Sequence, residues 1–262
     1  MPAYACCDDR EMPRLNHLVE GSGPTAVLLH AGVADLRMWD GQVAELLRRG
    51  FTAVRCDLRG FGGSTLAPGA SYSDAEDVLE LLDELEVETF ALVAASYGGR
   101  VALQVATAAP DRVDRLVLIA PAADGVDPDE SLRAIWGEEG RLVEAGDLEE
   151  ATELNVRTWL GPDADLAAQE LVRQMQRRAL ELQVAAGEVD ARELRVTLDR
   201  ITVPTRIFVG AYDQSFFRTT ARALVEQLPA ADLVELPWAG HLPTLERPHE
   251  MNLLVVDALA GI

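Results

Sequence analysis

The sequence contains no lysine: all 23 basic residues are arginine, set against 44 acidic ones, for a formal net charge of −21. Without lysine there is no Schiff-base amine and no phosphate-loop lysine. An excess of negative charge this large repels a phosphate backbone, so nucleic acid is not expected as a partner. Cysteine is scarce. Cys6, Cys7 and Cys56 are the only three, two of them adjacent, with no Cys-x-x-Cys and no Cys/His ligand spacing. Neither a disulfide framework nor a metal site is expected. No apolar run approaches the ~18 residues that cross a bilayer, and no basic segment followed by an apolar run opens the chain. The expectation is a cytoplasmic protein without a membrane partner. Oligomeric state is not legible.

What is present is a large apolar fraction, 48% of 262 residues, enough for one sizeable core. Six short runs read as strands: Thr25–Leu29, Thr52–Cys56, Phe90–Ala94, Leu116–Ile119, Arg206–Val209 and Leu233–Leu236. Their near-continuous apolarity suits strands buried on both faces of a parallel sheet. Helical patterns lie between them, over Trp39–Arg49, Asp74–Leu85, Tyr97–Ala108 and Thr219–Leu228. The alternation predicts an α/β fold with a mostly parallel, doubly wound sheet. From about Asp124 to Asp199 the rhythm stops and the chain reads as helical, most clearly over Asp147–Trp159 and Asp163–Ala186. In the latter, Leu171, Met175 and Leu182 share a face by their spacing. The domain expectation is therefore a core from residues 1–123 and 200–262, interrupted by a helical cap over 124–199.

Four stretches carry chemistry. In Leu92-Val-Ala-Ala-Ser96-Tyr-Gly-Gly99 a strand runs into a serine and a helix starts at once. That is the context of a nucleophile elbow, where small neighbours at Ala94 and Gly98 let the backbone pack closely. The usual first glycine is replaced by Ala94, and a plain Ser-Gly turn is the alternative. Leu28-Leu-His30-Ala-Gly32-Val33 ends the first clear strand. A tetrahedral oxyanion needs two donors, usually backbone N–H groups. Tyr97 and Gly32 are assigned that role, with Val33 as second choice for Gly32. His30 is expected to brace the loop. Val209-Gly-Ala-Tyr-Asp213 and Trp238-Ala-Gly-His241 follow the last two strands. The order Ser96, Asp213, His241 is that of a Ser–Asp–His triad in an α/β sheet. A serine hydroxyl needs a base, histidine titrates near neutrality, and an aspartate fixes its tautomer. His17 and His249 are expected to play no part. Asp57 is the competing acid, expected instead to pair with Arg59 and shape the glycine turn.

The whole chain resembles the cap-bearing α/β-hydrolases, a group that includes carboxylesterases, enol-lactonases, meta-cleavage-product hydrolases and cofactor-free haloperoxidases. The resemblance runs through His30-Ala-Gly-Val-Ala-Asp-Leu-Arg-Met-Trp39, Asp57-Leu-Arg-Gly-Phe-Gly-Gly-Ser64, Ala95-Ser96-Tyr-Gly-Gly99, Gly210-Ala-Tyr-Asp213 and Gly240-His-Leu-Pro-Thr-Leu-Glu-Arg-Pro248. Epoxide hydrolases and haloalkane dehalogenases look similar but carry an Asp nucleophile, where this chain has Ser96. The resemblance implies a cofactor-free hydrolase of a small-molecule ester or lactone acting through an acyl-enzyme. A carbon–carbon bond hydrolase with the same triad is the alternative, and a non-catalytic ligand-binding protein the alternative from another class. Trp136, Trp159 and Leu242 are the expected pocket residues. The region around the scissile bond is expected to be apolar, with Arg37 the one candidate for a substrate anion unless it pairs with Asp35 or Asp40.

Overall fold

The apolar runs become the strands of one sheet: those inside it bury both faces, whereas Leu233–Leu236 at its edge buries only Leu236. In the computed structural model, which describes residues 14–261, the chain runs β1 (His17–Gly21), β2 (Thr25–Leu29), α1 (Asp40–Arg48), β3 (Thr52–Cys56), β4 (Ser71–Tyr72), α2 (Asp74–Glu84), β5 (Phe90–Ala95), α3 (Tyr97–Ala108) and β6 (Val113–Ile119). It continues through α4 (Glu130–Glu144), α5 (Leu148–Trp159), α6 (Leu166–Ala186), β7 (Asp190–Ala191), β8 (Thr205–Gly210), α7 (Ser215–Gln227), β9 (Ala231–Leu236), α8 (Pro243–Glu246) and α9 (Pro248–Ala260). The main sheet has seven strands in the order β1-β3-β2-β5-β6-β8-β9. All neighbours are parallel except β1, which lies antiparallel on β3.

Alternation along each strand divides the core into two layers. On β2, Ala26 and Leu28 face a layer with Trp39, Val43, Leu46, Met251 and Val255, that is, with α1 and α9. Val27 and Leu29 face the opposite layer, with Val78, Leu82, Val101, Val105 and Leu224 from α2, α3 and α7. The doubly wound expectation therefore holds. Two features escape the apolar-run reading. β1 is an edge strand with Leu18 and Val19 exposed. β4 and β7 form a two-residue parallel pair inside and outside the expected helical stretch.

Between β6 and β8 the chain inserts α4, α5 and α6. Each begins on an aspartate whose carboxylate accepts an orphan N–H of the first turn: Asp129 from Leu132, Asp147 from Glu150, Asp165 from Ala168. The buried seam of α6 runs through Ala168, Val172, Met175 and Ala179. Leu171 and Leu182 are only half-buried. The buried face lies about one residue from the Leu171–Met175–Leu182 face, because alanines carry much of it. Among the described residues no helix is long and apolar enough to cross a membrane.

Candidate active site

The chain winds outward from β2 to β3, then crosses back to β5. A crevice opens at that switch, beyond the carboxyl ends of the strands. Ser96 sits there, one residue past β5 and one before α3, with φ 50° and ψ −114°. A non-glycine residue in that region stores backbone strain of about 1–3 kcal/mol. The surroundings enforce it: the Ser96 N–H donates to Ile119 O at 2.9 Å, and its carbonyl accepts from Gly99 and Ala122 at 2.9 and 3.0 Å. Gly98 presses directly against the end of β2. A Cβ on it would lie 2.5 Å from the Leu29 carbonyl oxygen and 2.6 Å from that of His30. The elbow is thus packed against the loop that follows β2.

That loop is a tight turn closed by Ala34 N–H to Ala31 O at 3.0 Å, with Gly32 and Val33 at its two central positions. Among the described residues the N–H groups of Gly32, Val33 and Tyr97 find no acceptor. His30 braces the turn. Its Nε2 accepts from Leu58 N–H at 2.9 Å, so Nδ1 carries the proton and donates to Ala31 O at 2.8 Å. Complete burial lowers its pKa and keeps it neutral.

His241, in the loop after β9, brings Nε2 to 2.8 Å from Ser96 Oγ. Its Nδ1 lies 3.0 and 2.9 Å from the two oxygens of Asp213, which follows β8. A carboxylate can only accept, so Nδ1 is the donor and Nε2 is left to accept the serine proton. The ring is held between Phe217 and Trp159, at centroid distances of 4.1 and 4.9 Å. All three residues are buried. Asp213 also accepts the Gln214 N–H at 2.7 Å.

Ser96 and His241 open on a cavity of about 800 Å³ between the sheet and the insertion, with Gly32, Val33 and Tyr97 also on its wall. That volume suits a small organic molecule.

Residues 26–252 match the model described as the alpha/beta hydrolase family. The chain belongs to that family. It is 27% identical over 253 residues to a pimeloyl-[acyl-carrier protein] methyl ester esterase of Nitrosomonas europaea, covering 91% of this chain and 96% of that one. To a 2-hydroxymuconate semialdehyde hydrolase of Pseudomonas sp. it is 27% identical, covering 93% and 86%. A stronger but local match, 41% over 112 residues, joins 40% of this chain to 36% of a fluoroacetate dehalogenase of Burkholderia sp.. Among solved structures, the enol-lactonase of Burkholderia xenovorans LB400 superimposes with a TM-score of 0.77 at 25% identity over 94% of this chain and 96% of that one. A hydrolase of Pseudomonas aeruginosa PA01 does so at 0.76 and 31% over 93% of each.

Several site expectations need correcting. Asp57 does not pair with Arg59. Its oxygens accept from Leu36 N–H, Asn16 Nδ2 and Gly63 N–H at 2.7–2.8 Å, which does shape the glycine turn, while Arg59 grips Asp77. Leu242 is not on the cavity wall; its side chain is buried in the core. Trp136 and Trp159 do line the cavity, as do Phe216 and Phe217. Arg37 forks onto Asp35 at 2.9 and 2.7 Å and is absent from the wall. Arg100 also lines the cavity and pairs with Asp124 and Glu193 at 2.8 and 2.5 Å. His17 lies on β1 and His249 on α9, away from the site.

Two supports were not anticipated. Glu246 accepts from the N–H groups on both sides of His241, Gly240 at 2.8 Å and Leu242 at 3.1 Å, and so fixes the loop that presents the imidazole. It lies within the Gly240–Pro248 motif, and that position is its only signal in the sequence. Asp74 accepts the Tyr97 hydroxyl at 2.6 Å and Arg59 N–H at 3.0 Å. Burial pushes its carboxyl up to about 6 and raises the Tyr97 phenol.

Proposed function

We propose that this protein hydrolyses a carboxylic ester or lactone through an acyl-enzyme, with Ser96 as nucleophile, His241 as general base and acid, and Asp213 as the group that orients it. The observation carrying this reading is the unbroken hydrogen-bond chain from Asp213 through His241 to Ser96, with the serine held in a strained elbow at a cavity. Ser96 Oγ attacks the carbonyl carbon as its proton passes to His241 Nε2. The oxyanion forms between the N–H groups of Gly32 and Tyr97, both without another acceptor; Val33 is the second choice for Gly32. His241 then gives the proton to the leaving oxygen, the C–O bond breaks, and the acyl group remains on Ser96. Water, deprotonated by the same imidazole, attacks the acyl carbon and releases the acid. Buried donors aimed at developing charge cost little reorganisation, and one such donor is worth roughly 10²–10³ in kcat. Residues 124–199 act as a cap, and Trp136 and Trp159 shape the acyl end of the cavity.

The serine at the elbow argues against dehalogenase chemistry through an aspartyl ester, despite the local match. A second reading, carbon–carbon bond hydrolysis by the same triad, is favoured by the full-length similarity to the 2-hydroxymuconate semialdehyde hydrolase. The experiment that separates them is a panel of p-nitrophenyl esters of graded acyl length, a set of lactones and one meta-cleavage product. The ester and lactone arms are expected to carry the highest kcat/KM. Turnover confined to the meta-cleavage product would replace the first reading with the second.

A further inference from the structure

The cap side of the cavity is not the apolar wall expected around an acyl chain. Glu139 from α4, Asn155 from α5 and Gln176 from α6 meet on it, all three lining the same space as Ser96 and His241. Their hydrogen bonds determine which way each amide points. Trp159 Nε1 can only donate, and it donates to Asn155 Oδ1 at 2.6 Å. Asn155 Nδ2 must therefore face the carboxylate, and it reaches Glu139 Oε1 at 2.6 Å. Gln176 Nε2 donates to that same oxygen at 3.1 Å. The amide orientation this requires leaves Gln176 Oε1 as an acceptor. Gln176 is 3% exposed, yet this oxygen is buried with no partner. An unfilled buried acceptor costs free energy unless something supplies a proton donor. The second Glu139 oxygen also has no hydrogen bond from the described residues.

The network is one indole away from the chemistry. The Trp159 ring that donates to Asn155 stacks against His241 at a centroid distance of 4.9 Å. The Trp159 indole thus joins the catalytic histidine on one side to the cluster on the other. The cations of the same wall do not offset them: Arg59 holds Asp77, and Arg100 holds Asp124 and Glu193.

From this geometry we infer that the Glu139–Asn155–Gln176 cluster is a specificity site for a substrate arm ending in a hydrogen-bond donor, an amide N–H, a hydroxyl or an ammonium. The oxygens it leaves without a donor set its preference, so an arm ending in a carboxylate or an alkyl group is disfavoured. The inference rests on the hydrolase reading only for which end of the substrate is cleaved. Binding itself does not require turnover.

The test uses one series of chain ends, isopropyl, carboxamide, primary ammonium, trimethylammonium and carboxylate, built on a hexanoyl chain. Each is made as a p-nitrophenyl ester for turnover and as a methyl ketone, inert to hydrolysis, for calorimetric binding to the intact protein. The carboxamide and ammonium members are expected to bind and react roughly tenfold better than the isopropyl member, about the effect of satisfying one buried acceptor. Trimethylammonium, charged but without a donor, separates charge from hydrogen bonding and is expected to resemble the isopropyl member. Glu139→Gln keeps the bonds from Asn155 and Gln176 but turns an N–H₂ into the cavity, and should abolish the ammonium preference. Gln176→Met removes the free acceptor at similar volume and should halve or abolish the carboxamide preference, while hydrolysis of p-nitrophenyl acetate, too short to reach the cluster, stays unchanged in both variants. Equal affinity and kcat/KM across the chain ends, or a donor preference that survives both substitutions, overturns the inference. Donor preference in ketone binding without hydrolysis of any ester would instead count against the hydrolase reading alone.

Discussion

Adding one methyl group at Gly98 is predicted to slow the reaction far more than it unfolds the protein. The added Cβ would sit 2.5 Å from Leu29 O, 2.6 Å from His30 O and 2.7 Å from Leu29 C. All three are backbone atoms, so no side chain can rotate aside. Restoring an ordinary 3.4 Å contact means parting the elbow from the end of β2 by about 0.9 Å, in an interior packed too densely to absorb it elsewhere. The two halves being parted are the ones that carry the Ser96–Tyr97 step and the Gly32 turn. A misplacement of about 1 Å in a reacting constellation costs roughly 100-fold in rate. Overpacking by one methyl costs about 1–3 kcal/mol, which in a chain of this size lowers Tm by roughly 2–12 °C. Gly98→Ala should therefore remain folded by circular dichroism, lose about two orders of magnitude in kcat on a p-nitrophenyl ester, and keep KM within a few-fold. Gly140→Ala, on α4, is the internal control, because its added Cβ meets nothing within 4 Å. A Gly98→Ala enzyme with kcat within threefold of wild type would refute the claim that this close approach sets the site.

Asp213→Asn should lower kcat about 10⁴-fold with little change in Tm, since an amide can impose the wrong imidazole tautomer; Asp57→Asn should instead lose about 1–3 kcal/mol of stability by facing an N–H₂ at a backbone donor, and equal kcat losses in both with unchanged Tm would reverse the assignment. Asp74 titrates at about 6 in the folded protein against 3.8 when unfolded, so the folded state binds more protons between those values and stability falls as pH rises through them. Over pH 4 to 7 this amounts to about 2 kcal/mol, and Asp74→Asn should remove that decline from urea-unfolding free energies; an identical decline in both proteins would contradict it. Trp159→Ala should depress kcat and alter acyl-length preference, because its ring touches His241, whereas Trp136→Ala, more exposed on the cavity rim and touching Phe216, should alter length preference alone. Unchanged length profiles in both would remove these residues from the acyl pocket.

The sheet was legible because a strand buried on both faces leaves an unbroken apolar run. β2 and β3 fall on the runs as read, and β5 and β8 differ only at their ends. β1 was not, because three of its five residues are exposed and its pairing with β3 depends on a distant segment. The triad and its loops were legible because each member stands at a strand end beside small residues, a local signature of tight turns. The supports were not. Glu246 acts through backbone N–H groups four and six residues before it, which no side-chain pattern marks, and Asp74 through an N–H and a phenol 15 and 23 residues away that only the folded chain brings near. Asn155 and Gln176 are polar residues on buried helix faces, where an amphipathic pattern predicts apolar ones. Leu242 faces the core for a related reason: a sequence neighbour of an active residue need not share its direction, and one residue along a turn reverses the side chain from cavity to core.

The central claim, that Ser96 is the nucleophile activated by His241, is tested most directly by covalent capture. Wild-type protein treated with a fluorophosphonate should gain the mass of one adduct, located on the Ser96 peptide, and lose its hydrolytic activity in step with labelling. Ser96→Ala, shown to be folded by an unchanged circular dichroism spectrum, should take up no label. A single adduct on any other residue, or Ser96→Ala protein that labels as fast as wild type, would contradict the account.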